Sequence, residues 1–512
     1  MSTLALVLAC LACTGHGRRV KAPPEQARQP RAAFNPCSHA GRQRSVSTVQ
    51  PSKRRLAEVR AQHGFGTTLD PIAKEFDVEF SEALSIKGSA SGARGVFALA
   101  DIHRGSLLAS VPLSSCLTVP SESGEDAKLA SAFLEALETE KWCNYAENIL
   151  PGTSDAAFLW SDTELNELQF YEARDAADDI RQRFKEMLTD RDKEEDDNND
   201  VDADEEDSDE EKADDEDLSL EELRWALSMI YTRSFDVDHL DGKPLRALAP
   251  FLDLFNHQPE SPLEYAHQVR DWEADGFEEP PSPWRIVKGT KGEARAAIFA
   301  NRDVKSGEEV RLPYGFETSA ELVAAHGFMP TANSADYHPL FADNIEMATF
   351  AGEAFGLSEE QAVARLKIIE KLEAVDAPLA VRPGKLEASA HLLACMRLMA
   401  ASDDELDGFE EGWVEAIGHN TLIAPSSLSS SSESAAMRFL ADSAEAALAE
   451  CPTTLEEDEQ QLGELTEEGT TRLRLALQYR IQVKRMLQDF MKQCAEAGGA
   501  VRETTSEAAA LS

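Results

Sequence analysis

The most constraining stretch of this chain is Ala249-Pro250-Phe251-Leu252-Asp253-Leu254-Phe255, which ends abruptly in Asn256-His257. Seven residues with one acid among them belong in a core, and the polar pair at their end must find partners where that core stops. The run reads as an apolar strand with a polar end. A second short apolar strand, Val310-Arg311-Leu312-Pro313-Tyr314-Gly315, follows later. Where these two segments meet, an asparagine, a histidine and a tyrosine share one site.

The elements around them can be read from periodicity. Val78-Glu79-Phe80, Leu84-Ser85-Ile86, Gly95 to Ala98 and Leu107-Leu108 to Val111 read as short strands, punctuated by Gly88, Gly92, Gly95 and Gly105. The glycine at position 95 lets a ligand approach the backbone, although a glycine hairpin alone is a weak signal. No GK[ST] or GxGxxG follows, so neither a phosphate loop nor a dinucleotide fingerprint is present. From Ala127 the pattern turns helical, with Trp142, Tyr145 and Trp160 read as core, and Ser161 with Glu164 as a capping box. Leu218 to Tyr231 reads as a helix running into Thr232-Arg233-Ser234-Phe235, with a turn at Leu240-Asp241-Gly242. After a polar loop over 260–284 come three strands, Trp284 to Lys288, Ala296 to Ala300 and Glu309 to Tyr314. Thr318 to Phe328 reads as a helix ending at Gly327. Beyond Asn344 helices dominate: Glu359 to Ala374, Ala388 to Ala401, Ala435 to Glu450 and Thr470 to Ala497, with a Ser-rich surface loop over Pro425 to Ser434.

Charge limits the partners. The 512 residues carry a formal net charge of −44. Residues 190–217 hold nineteen Asp/Glu against three Lys/Arg and have no apolar periodicity. They read as a disordered loop between two helices, with an electrostatic steering arm as the functional alternative. Such a surface repels phosphate backbones, so nucleic acid is an unsuitable partner and a basic protein or peptide a suitable one. The cysteines are scattered and only Cys10-x-x-Cys13 is close-spaced, so neither a zinc site nor a disulfide framework is indicated.

Residues 1–56 are the opposite, with ten Lys/Arg and one acid. A short apolar run, Leu4 to Cys13, precedes Ser-, Ala- and Pro-containing basic sequence. This is the composition of a transit peptide, and with the apolar run ahead of it resembles the bipartite leaders of algae with complex plastids. A secretory or other organelle signal and a plain basic tail remain open. Residues 1–65 are set aside from the fold as a targeting leader. No later stretch holds 18 consecutive apolar residues, so no membrane span is expected.

Taken in order, Thr232-Arg233-Ser234-Phe235, Leu248 to His257, Tyr314-Gly315 and Ser319-Ala320-Glu321-Leu322 to Gly327-Phe328 resemble a SET-domain methyltransferase. Within that superfamily the chain is similar to the Rubisco large-subunit lysine methyltransferase class, and Trp142, Tyr145, Leu150-Pro151 and Trp160-Ser161 resemble its helical insert. The resemblance implies an α+β protein. A SET-type β-fold over 70–335 would be split by a helical insert at about 125–230, and an all-α substrate-binding domain over 340–512 would follow. It implies S-adenosyl-L-methionine as cofactor, a protein substrate and a monomer. By resemblance, Arg233 binds the cofactor carboxylate and Asn256 and His257 its amino-acid and adenine portions, with Asp253 beside them. Gly95, Val96, Ser106, Leu107 and Leu108 would lie along the cofactor, and Phe328 on its adenine. Tyr314 would be the catalytic residue orienting the target amine, and Phe235 would line an apolar lysine channel.

Each residue also has a plainer reading. Asn256 and His257 can cap a strand end, Tyr314 can be a buried aromatic, Arg233 a structural ion pair and Phe328 core. The chain departs from the family at Pro313, where a small hydroxyl residue is usual, at Thr318-Ser319, where an Asn is missing, and at His326, where a Tyr is common. The expected function is a protein-lysine N-methyltransferase acting on a non-histone plastid protein such as the Rubisco large subunit or aldolase, located in the chloroplast stroma. Protein-histidine methylation, a non-catalytic SET-fold binding protein and a cytoplasmic location are the alternatives.

Overall fold

Three small antiparallel sheets hold the site, and short strands that stop where glycines or kinks intervene keep them small. The computed structural model describes residues 69–88, 94–121, 125–199, 220–258, 282–314, 317–371, 378–407, 428–466 and 471–510. The expected leader over 1–65, residues 200–217 of the acidic run, most of the loop over 260–284, Ser91 and Gly92, Gly315, residues 372–374 and 425–427 lie outside them. No described helix is long and apolar enough to cross a membrane.

The described residues form two compact units. One runs up to Ala335 and includes Leu465–Tyr479; the other comprises Asp336–Glu464 and the described residues from Arg480 onward. The first opens with helix α1 (Leu69–Glu75), absent from the expected elements. Then come β1 (Glu79–Phe80), β2 (Leu84–Gly88), β3 (Arg94–Ala98), β4 (Leu107–Pro112) and β5 (Leu117–Pro120). The helical insert supplies α2 (Glu125–Ala136), α3 (Glu140–Ile149), α4 (Asp162–Asn166), α5 (Tyr171–Asn199) and α6 (Leu220–Arg233). After it come β6 (Phe235–Asp238), β7 (Pro244–Leu248), β8 (Trp284–Lys288), β9 (Ala294–Phe299), β10 (Glu309–Val310) and α7 (Ser319–His326).

The strands pair in the orders β1-β4-β9-β8, β10-β3-β2 and β5-β7-β6, every pair antiparallel. An aromatic core joins insert and sheets: Phe76 packs edge-on to Trp142 at 5.1 Å and against Tyr145 and Phe251, while Phe133 stacks on Trp225 at 5.5 Å. Each such pair contributes roughly 0.5–1.5 kcal/mol beyond area burial. The expected capping box forms: Ser161 Oγ accepts from Glu164 N and the Glu164 carboxylate accepts from Ser161 N.

Several expectations are corrected. The acidic run is helical over its first residues, because α5 continues to Asn199. The apolar run is not one strand. β7 stops at Leu248 and Phe251 takes a left-handed φ of 69°, starting a single 3-10 turn over Leu252–Leu254. The run is apolar on all sides because it turns inside the core, where no face meets water. The last expected strand is also shorter, since only Glu309–Val310 pairs with β3 and Leu312 makes an isolated bridge.

The second unit holds α8 (Asn344–Phe355), α9 (Glu359–Lys371), α10 (Ala390–Ala400), α11 (Asp403–Asp407), α12 (Ser430–Ala449), α13 (Leu455–Glu464) and most of α14 (Thr471–Ala510), with a two-strand ladder of β11 (His338–Pro339) and β12 (Ala380–Val381). The Ser-rich segment is not loop throughout. Ser429 caps α12 by accepting from Ser432 N, and Ser432 and Glu433 are buried. Glu433 is held by Arg397, with nitrogen–oxygen distances of 2.7–3.1 Å. Leu465–Tyr479, expected in the C-terminal domain, counts instead with the first unit, where Arg472 meets Glu164 and Tyr479 meets Phe170.

Candidate active site

The two segments singled out from sequence meet. Leu312 N donates to Asn256 O at 2.9 Å and Gln258 N to Leu312 O at 2.9 Å, a parallel bridge centred on His257 and Leu312. This aligns Tyr314 beside the histidine. Tyr314 N donates to His257 Nδ1 at 3.2 Å, and the Tyr314 hydroxyl donates to Phe255 O at 2.9 Å. The rings of His257 and Tyr314 are 5.1 Å apart.

These bonds set the protonation states. His257 Nδ1 accepts from a backbone N–H, so in the neutral ring the proton sits on Nε2. Burial pushes the His257 pKa down to about 4, so the ring is neutral near pH 7. Its Nε2 is buried with no hydrogen-bond partner among the described residues. Burial raises the Tyr314 pKa further above the ordinary phenol value. Tyr314 is therefore a neutral phenol whose proton points at Phe255 O, leaving its oxygen lone pairs free to accept.

Asn256 faces the other way. Its Nδ2 donates to Arg94 O at 2.9 Å and to Glu309 Oε1 at 2.6 Å, tying the turn to β3 and β10. Gly95 makes room there: a Cβ at that position would lie 2.3 Å from Glu309 Oε1 and 3.1 Å from Asn256 Nδ2, so the Glu309 carboxylate would have to shift. Val96 beside it is fully buried and stands opposite Val310 and Ile86.

The left-handed Phe251 turns Asp253 inward, where its side chain is 0% exposed. Asp253 accepts from the Tyr145 hydroxyl and from Arg233 Nη1 at 3.0 Å. Arg233 ends α6, and its Nε is buried with no hydrogen-bond partner among the described residues. Burial first, then the Asp253 charge, raises the Tyr145 pKa well above the ordinary value.

Phe328 follows α7. The helix starts with a second capping box, Thr318 with Glu321, and ends on Gly327 at φ 71°. A Cβ on Gly327 would come within 2.3 Å of the Asp155 carbonyl carbon, so only glycine fits this position. Phe328 lies 6.0 Å from the His257 ring and 5.9 Å from His326, which is itself 5.4 Å from Tyr314. His326 Nε2 stands 3.4 Å from Glu317 Oε2. Burial raises the Glu317 pKa, but the interactions with His326 and His257 outweigh it and the net shift is downward.

An open cleft of about 890 Å³ is lined by Arg233, Phe235, Asp253, Phe255, Tyr314 and His326, with the Trp284 ring tilted against Phe235 at 4.5 Å. Asn256, His257, Gly95 and Phe328 are not among its lining residues. Gly95 lies against Asn256, and Phe328 against the rings of His257 and His326. Ser106, Leu107 and Leu108 stand on the neighbouring sheet, where Ser106 O accepts from Ala300 N and Leu108 O from Ser81 N; Leu107 is 44% exposed. The residues missed from sequence are Glu309, Tyr145, Trp284 and Glu317. Tyr145, Glu309 and Trp284 meet partners far away in the chain, Glu317 meets His326 nine residues on, and only Tyr145 carried a signal, as a core aromatic.

A SET domain model matches residues 93–315, and a Rubisco LSMT substrate-binding model matches residues 356–487. The chain is 25% identical over 360 residues to the chloroplastic [fructose-bisphosphate aldolase]-lysine N-methyltransferase of Arabidopsis thaliana, covering 69% of this chain and 64% of that protein. It is 24% identical over 421 residues to the chloroplastic ribulose-1,5 bisphosphate carboxylase/oxygenase large subunit N-methyltransferase of Nicotiana tabacum, covering 77% and 74%. The fold resembles the crystal structure of the SET domain of LSMT bound to MeLysine and AdoHcy, with a TM-score of 0.53, 18% identity, and coverage of 85% and 92%.

Proposed function

Because this chain carries a SET domain followed by a Rubisco LSMT substrate-binding domain, we propose that it is an S-adenosyl-L-methionine-dependent protein-lysine N-methyltransferase. The observation that carries the reading is the junction of Asn256-His257 with Leu312 to Tyr314 at the edge of a cleft that also holds Arg233 and Phe235.

The residues present fit the cofactor. Arg233 Nε and His257 Nε2 are buried donors still open to an acceptor. Gly95 leaves its backbone free of a side chain. S-adenosyl-L-methionine, when bound, supplies an electrophilic methyl group on a sulfonium. Arg233 is suited to its carboxylate through a charge-assisted bond. Asn256, His257, Gly95, Val96 and Phe328 form the wall against which the rest would lie, with Ser106, Leu107 and Leu108 assigned to its far side on resemblance alone.

Methyl transfer is an in-line displacement by a neutral amine, so the chain's task is alignment and exclusion of water. Tyr314 commits its proton to Phe255 O and offers a lone pair to an amine N–H, which fixes the direction of the nitrogen lone pair. With its phenol pKa raised, Tyr314 orients the amine rather than deprotonating it. The ammonium proton therefore leaves through the open cleft to solvent. Phe235 and Trp284 give the cleft an apolar wall suited to the aliphatic stem of lysine, which favours lysine over histidine.

The substrate is a non-histone protein of the plastid, such as the Rubisco large subunit or aldolase, and the basic leader is a plastid address. The chloroplastic enzymes to which the chain is similar support both readings. The test incubates the protein without its leader with methyl-labelled S-adenosylmethionine and a stromal extract. A labelled band bearing methyllysine is expected. Cofactor binding with no labelling of stromal, cytosolic or histone protein would overturn the reading.

A further inference from the structure

We propose that the cleft selects a target lysine lying in a basic segment of its substrate, with a second cation beside that lysine held at the cleft mouth. The inference rests on the lysine-methyltransferase reading and names its substrate class. The cleft combines an apolar wall with an acidic rim. Phe235 and Trp284 are half-buried, their ring centroids 4.5 Å apart and tilted by 31°. Aromatic faces accept an aliphatic stem and attract a cation over their π-systems.

The described residues lining the cleft include six carboxylates and three arginines. One arginine, Arg246, is already shared by two of those carboxylates, with Nε 2.9 Å from Asp126 and Nη1 2.9 Å from Asp236. This leaves that side of the mouth net negative. On the facing helix α5, Arg183 and Asp179 both line the cleft, and Asp179 is exposed. Its neighbour Asp175 is harder to ionise, through partial burial and the like charges of Asp178 and Asp179. With six carboxylates against three arginines, the described lining of the cleft is net negative around its apolar wall. Its complement is a peptide that carries positive charge on both sides of an aliphatic stem.

Two short fluorescein-labelled peptides with one central lysine test this, one flanked by arginines and one by glutamates, against the full chain. Binding is read by anisotropy and turnover by methyl label, at low and at physiological salt. The arginine peptide is expected to bind about tenfold tighter at low salt, the yield of two exposed ion pairs. The gap should narrow with salt, and in Asp179→Lys, whose surface position spares the fold. Equal binding of the two peptides at low salt, whether or not they are methylated, would overturn the inference. Tighter binding of the arginine peptide, with no methylation of any peptide or extract protein, would support the acidic mouth while removing the transferase reading.

Discussion

Gly95→Ala tests the wall of the site at the point where the geometry is tightest. The added methyl would stand 2.3 Å from Glu309 Oε1, whereas ordinary contacts begin at 3.4 Å, so the carboxylate must retreat by about an ångström. It cannot do so freely. Asn256 Nδ2 at 2.6 Å and Arg311 Nε at 2.8 Å hold it, and its side chain is only 9% exposed. Overpacking of this kind costs about 1–3 kcal/mol, and losing the Asn256 bond adds about 1 kcal/mol. With Asn256 displaced, affinity for S-adenosylmethionine should fall about tenfold. Titration calorimetry and thermal unfolding of the purified chain measure both effects. In a cycle with Glu309→Ala, which removes the clashing carboxylate, the double variant should be less destabilised than the sum of the singles by about 1–2 kcal/mol. Wild-type cofactor affinity in Gly95→Ala, or strict additivity in the cycle, would refute the reasoning.

Other perturbations follow from the same contacts. Arg233→Ala leaves the fully buried Asp253 carboxylate with the Tyr145 hydroxyl as its side-chain partner and should cost about 3 kcal/mol in urea unfolding, as removal of one member of a buried pair does. His257 has a folded pKa of about 4 against an ordinary 6.5, so the unfolded chain binds the extra proton. Stability is therefore retained above about pH 6.5 and lost as pH falls toward 4. Between pH 7 and pH 5 the loss is roughly 2 kcal/mol, and His257→Gln should flatten that part of the profile. Arg397→Met should cost about 3 kcal/mol by stranding Glu433, while Arg397→Met combined with Glu433→Leu should recover most of it.

What could be read from sequence was local or periodic. The capping box of Ser161 and Glu164 lies within four residues, and strand β8 has the expected bounds because the information lay within the element. The kink at Phe251 could not be read, since a left-handed non-glycine residue is imposed by packing against Phe76, Phe80 and Tyr145 rather than by its own propensity. Tyr145 and Glu309 escaped notice as site residues because each meets its partner across a long separation, 108 and 53 residues respectively. Serine composition suggested a loop where α12 begins; the Ser429 cap and the buried Arg397–Glu433 pair override it. Arg233, Asp253, Asn256, His257 and Tyr314 were named from motif order; the structure pairs Arg233 with Asp253 and Tyr314 with His257, and ties Asn256 to Arg94 O and Glu309.

The most direct test of the account is the chemical location of the transferred methyl group. Mass spectrometry of stromal protein labelled by the wild-type chain and by Tyr314→Phe is compared, with cofactor affinity measured on both. The account predicts methyl groups on lysine Nζ with the wild type, and at least a tenfold lower rate with Tyr314→Phe at unchanged cofactor affinity. Methyl groups on histidine, or labelling by Tyr314→Phe at the wild-type rate, would contradict it.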